Sequence, residues 1–97
     1  MAEAQKTYPQ SPGMLLNIAN DIVEMYKAAV TADDGERFAF TTEMYGKKIN
    51  YLFRVTQQPD GCLLTIETEG EGKKTEQRLS FMFSLVDNML APLCESG

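Results

Sequence analysis

The chain has no histidine, no tryptophan and only two cysteines in 97 residues. Without an imidazole, the Ser-His and Cys-His nucleophilic pairs, histidine general bases and most catalytic zinc sites are closed to it. Two cysteines do not make a disulfide scaffold. A single Cys62–Cys94 disulfide is open to the chain, but both residues fall on apolar faces and read as buried free thiols, which fits a reducing, cytoplasmic setting. No apolar run exceeds three residues, so the sequence predicts no membrane-spanning helix. The first ten residues carry Glu3 and Lys6 and lack the apolar stretch of a signal peptide. Basic residues are also scarce. Nine against fourteen acids give a net charge of −5, which weighs against general nucleic-acid or anionic-membrane binding.

Residues 1–10 have no periodicity and are expected to form a flexible N-terminal tail, with residues 11–97 making a single α+β domain. Ser11 reads as a helix N-cap with Pro12 at the first helical position. Over residues 14–30 the apolar positions Leu15, Ile18, Ile22, Tyr26 and Val30 share one helical face, and Asp33-Asp34-Gly35 is expected to stop the helix. The period then switches from 3.6 to 2. Residues 37–45, 48–56 and 62–69 alternate as strands, separated by Gly46-Lys47 and by Gln57-Gln58-Pro59-Asp60-Gly61. Thr75 is the expected N-cap of a second helix, which ends near residue 90 or 91 because Pro92 interferes. Leu79, Met82, Phe83, Val86, Met89 and Leu90 share its inner face, and Leu93 and Cys94 would extend it.

This α-β-β-β-α order predicts a two-layer α+β sandwich, a three-stranded antiparallel meander with both helices on one face. Phe38, Phe40, Ile49, Tyr51, Phe53, Val55, Leu64 and Ile66 would face the helices. On the outer face the turn lengths place Arg54 beside Ala39 and Leu63, Lys48 opposite Glu69, and Asn50 opposite Glu67. Arg37, Leu52 and Arg54 would center a polar binding face.

Chemistry-bearing motifs are sparse. Glu67, Glu69 and Glu71 share one side of a strand but lack the loop pattern of a calcium site. The segment Gly70-Glu71-Gly72-Lys73-Lys74-Thr75 lacks the spacing of a phosphate-binding loop, and Glu71 would oppose a phosphate. No nucleophile has a base at a readable spacing, so the sequence is read as a non-enzyme with no catalytic residues, no metal and no cofactor.

What remains are surfaces. Phe81 and Leu85 lie off the apolar stripe of the second helix. The segment Phe38-Ala39-Phe40-Thr41-Thr42 reads as an uncharged sheet edge open to pairing, whereas Glu67 and Glu69 guard the opposite edge. The first reading is therefore an acidic protein-interaction module, a homodimer or an adaptor, using Phe81, Leu85, Phe38, Phe40 and Thr42. The element order also resembles the double-stranded-RNA-binding domain, with Lys73-Lys74 standing where that family has a basic helix entry. That resemblance implies RNA contacts through Lys47, Lys48, Lys73 and Lys74. The first helix, however, offers Asn17, Asp21 and Glu24 on its exposed face. A third reading is a small-ligand carrier, with a small molecule held between helices and sheet and Met82 and Met89 lining the space.

Overall fold

The computed structural model describes residues 2–44, 46–70 and 72–95. Its elements run β1 (Ala2–Tyr8), α1 (Pro12–Tyr26), β2 (Ala29–Asp33), β3 (Arg37–Met44), β4 (Lys47–Gln58), β5 (Gly61–Thr68) and α2 (Lys73–Glu95). The five strands form one antiparallel sheet in the order β1-β5-β4-β3-β2. The expected meander is its center, with a further strand on either side.

Alternation decides which face is dry. Ile49, Tyr51, Phe53 and Val55 of β4 are buried, while Asn50, Leu52, Arg54 and Thr56 are exposed or half-buried. Phe38 and Phe40 from β3 and Leu64 and Ile66 from β5 complete the inner face, which packs with Leu15, Ile18 and Ile22 of α1 and Leu79, Met82, Val86 and Leu90 of α2. Phe40 sits among rings, 5.6 Å from Tyr51 and 5.5 Å from Phe53 between centroids. Helix α1 starts as its sequence dictates: the Ser11 hydroxyl accepts from the Met14 amide, and Pro12 occupies the first turn.

Several expectations need correction. Residues 2–8 are not a tail but the edge strand β1, paired with β5 from Ala2↔Thr68 to Tyr8↔Cys62. Two side chains anchor it to α2. The Tyr8 hydroxyl donates to Asp87 Oδ1 at 2.8 Å, and Lys6 Nζ lies 2.6 Å from Asp87 Oδ2. Helix α1 stops at Tyr26 rather than reaching Val30. Lys27 takes a left-handed conformation (φ 52°), its N–H reaching the Glu24 carbonyl and that of Ala28 the Val23 carbonyl. This paired closure satisfies the last carbonyls and turns the chain into β2.

Strand β2 covers β3, so Phe38, Phe40 and Thr42 are buried in an interior strand and offer no edge. The register also differs. Arg54 pairs with Arg37 and Thr65, Lys48 with Glu43, and Leu52 with Ala39 and Glu67. Each pairing is displaced by two residues, because the first two-residue turn lies one position earlier, at 45–46, and the second connection is only the two residues 59–60. An even displacement leaves every side chain on its expected face.

Helix α2 begins at Lys73, ahead of Thr75, which is buried in its first turn. It runs past Pro92 to Glu95, since a proline in the last turn forfeits one hydrogen bond without ending the helix. The side chains of Leu93 and Cys94, and the whole of Glu71, lie outside the described residues. Cys62 is buried and free, its thiol donating to the Gln10 carbonyl at 3.2 Å. The two flanking strands also depart from the element order that resembles the RNA-binding domain.

Candidate ligand-binding cleft

Three elements meet around an open cleft of about 750 Å³, lined by Tyr26, Lys47, Ile49, Lys74, Gln77, Arg78 and Phe81. Tyr26 comes from the last turn of α1, which ends there because Lys27 turns left-handed. Lys47 and Ile49 come from the start of β4, where the alternation that buries Ile49 carries Lys47 to the mouth. Lys74, Gln77, Arg78 and Phe81 are spaced i, i+3, i+4 and i+7 along α2, one stripe of a helix. The Phe81 ring is 42% exposed and stands edge-on to Tyr26, with centroids 6.5 Å apart and planes at 72°. That geometry leaves ring surface open to a guest.

Arg78 is the anchored cation. Its Nη2 donates to the Glu69 carbonyl and to Thr75 Oγ1, each at 3.1 Å. Its Nε is buried without a hydrogen-bond partner among the described residues. Gly70 lets the β5–α2 connection lie against this guanidinium. A Cβ there would come within 2.9 Å of Thr75 Oγ1 and 3.3 Å of Arg78 Nη2, and the backbone is left-handed (φ +97°). Beneath, burial pushes the Tyr51 hydroxyl above its ordinary pKa, and the charge of Arg78 opposes that rise. Among the described residues none of Lys47, Lys74 and Arg78 has an ion-pair partner; the pairs there are Lys6–Asp87 and Arg54–Glu67.

The structure therefore sorts the sequence candidates. Phe81, Lys47 and Lys74 come together. Leu85 is half-buried against the core, and Met82 is fully buried in it and does not line the cleft. Lys48 sits opposite Glu43 on β4, and Lys73 is exposed at the start of α2 without lining the cleft, so the four lysines do not form one basic surface. On the outer sheet face Arg37 and Arg54 are direct neighbors, and Arg54 Nη2 is held by Glu67 at 3.0 Å. Thr41, Asn50 and Glu69 continue that face as a hydrogen-bonded row. Arg78 and Tyr26 were not singled out from the sequence as site residues. The signal for Arg78 was its position between Lys74 and Phe81 on one helical stripe.

Together these elements define a small α+β class in which a five-stranded antiparallel sheet is covered on one face by two helices. No family model matches the sequence, and no curated protein matches it. Among solved structures the chain is similar to protein MLL2253 from Mesorhizobium loti, with a TM-score of 0.68 and 11% identity over 98% of this chain and 96% of that one. At that identity the likeness concerns the fold alone. A more distant likeness is to TTHA0849 from Thermus thermophilus, with a TM-score of 0.46 and 16% identity over 94% of this chain and 97% of that one.

Proposed function

We propose that this chain is a binding module for a small molecule, held in the cleft between α1, α2 and the start of β4. The observation that carries this reading is the Phe81 ring, kept half in solvent and edge-on to Tyr26 at a cleft of about 750 Å³. Pockets for small molecules span roughly 300–1,000 Å³ and combine apolar walls with a few polar groups, as Tyr26, Ile49 and Phe81 do here with Gln77 and the cations.

Nitrogen–proton correlation spectra recorded during titration with decanol or decanoate test it. The shifted amides are expected to cluster around Tyr26, Ile49, Gln77 and Phe81, and Phe81→Ser is expected to weaken binding about tenfold, about 1.4 kcal/mol. Shifts scattered over the outer sheet face would discard the reading.

A second reading keeps the protein-interaction role, a second copy or another chain. It is favored by Met25 and Val30, which are 54% and 48% exposed and lie close to Tyr26 in sequence. Sedimentation at tens of micromolar decides the homodimer form, and a strict monomer removes it.

A further inference from the structure

We infer that the cleft selects amphipathic monoanions, with a carboxylate, sulfonate or phosphodiester head among Lys47, Lys74 and Arg78 and an apolar body against Tyr26, Ile49 and Phe81. The inference rests on the reading of this cleft as a ligand site and adds the chemical class of the ligand.

Charge is unevenly distributed over the molecule. The chain is acidic, with fourteen acids to nine bases, yet three of those bases line the cleft and, among the described residues, no acid does. Of the six bases outside the cleft, two are ion-paired among the described residues, Lys6 with Asp87 and Arg54 with Glu67. Lys74 stands where a helix gains nothing from a cation. It occupies the first turn of α2, beside Lys73. The positive end of the helix dipole disfavors cations there, so helix stability does not account for the placement. An anion in the cleft would meet the lysine and the guanidinium together.

The guanidinium is also preorganized. Arg78 is already fixed by the Glu69 carbonyl and Thr75, so less side-chain freedom is lost when it binds an anion. The apolar walls require a body as well as a head, and the ring edge of Phe81 fits a flat or chain-like one. The acids outside the cleft limit the total negative charge. The net charge of −5 would repel a polyanion that ran past the mouth, so one head group is favored over a nucleic-acid strand.

A matched pair of probes tests this. 1-Anilinonaphthalene-8-sulfonate and N-phenyl-1-naphthylamine share an aromatic body, and only the first is anionic. In low salt the sulfonate is expected to bind at least tenfold more tightly, with decanoate displacing it better than decanol. Lys47→Gln and Lys74→Gln are each expected to weaken the sulfonate about three- to fivefold and the neutral probe less than twofold. Arg78→Lys, which keeps the charge but loses the fork, is expected to fall between wild type and Lys74→Gln. Raising the salt to 0.5 M is expected to narrow the gap between the probes.

Equal affinities for the two probes, insensitive to both lysine substitutions, would overturn the anion preference while leaving the cleft as a ligand site. Failure of both probes to bind, or binding that ignores Phe81→Ser, would overturn the cleft reading and this inference with it.

Discussion

Tyr8 offers the sharpest test of the architecture, because its role exists only if β1 is docked. Its side chain is 6% exposed, and its hydroxyl donates to Asp87 Oδ1 at 2.8 Å across the gap between β1 and α2. A hydrogen bond to a charged acceptor contributes on the order of 1.5–3 kcal/mol. Asp87 is 40% exposed and keeps Lys6, so it can rehydrate. Tyr8→Phe is therefore expected to cost about 1–1.5 kcal/mol. Tyr8→Ala also loses the buried ring and is expected to cost about 3–4 kcal/mol. Urea unfolding followed by circular dichroism reads both, with the Tyr8→Phe midpoint falling by roughly 0.5–1 M. A double-mutant cycle with Asp87→Asn is expected to show coupling near about 1 kcal/mol. If Tyr8→Ala left the midpoint within about 0.2 M of wild type, β1 would be a tail after all and the five-stranded sheet would be wrong.

Two further outcomes concern the same corner and the buried phenols. Gly61 adopts φ +145°, and a Cβ there would lie 2.0 Å from the Tyr8 carbonyl oxygen and 2.8 Å from Pro9 Cα. Gly61→Ala is thus expected to destabilize by roughly 2–4 kcal/mol and to deprotect the β1 amides in hydrogen exchange. Burial raises the pKa of both Tyr8 and Tyr51, and the Asp87 bond and charge raise Tyr8 further. Their folded values exceed the unfolded value near 10, so their contribution is complete below about pH 10. It is lost as pH rises above that, at up to about 1.4 kcal/mol per pH unit for each tyrosine. Urea midpoints at about pH 9 and about pH 11 check this, and Tyr8→Phe is expected to flatten the loss.

How much was legible follows from where side-chain periodicity carries information. The three central strands announce themselves because Phe38, Phe40, Ile49, Tyr51, Phe53, Leu64 and Ile66 alternate with polar neighbors over a half-buried sheet. The flanking strands do not. In β1 the inward positions are Ala2, Ala4, Lys6 and Tyr8. A lysine satisfied by a distant aspartate looks, in sequence, like a solvated tail. In β2 all five residues are exposed, and Ala29 and Val30 continue the helical period of α1. Only the left-handed turn at Lys27 separates the two, and a lysine gives no warning of it. The cleft was half visible. Phe81 stood out as apolar on a wet face, and Lys47 and Lys74 as cations in an acidic chain. That all three share one space depends on how α2 lies relative to the start of β4, which no local pattern encodes.

The placement of β1 has a kinetic consequence. Its pairing partners are fifty-four to sixty-six positions downstream, since Tyr8 meets Cys62 and Ala2 meets Thr68. Closing so wide a loop is entropically slow, whereas the β3–β4 and β4–β5 hairpins close across two residues. On a translating ribosome the opening strand therefore waits, unpaired, until most of the chain has been made. Of the five strands described, the first in sequence is expected to enter the sheet last, and a ribosome stalled before residue 61 would leave Tyr8 without its partner strand.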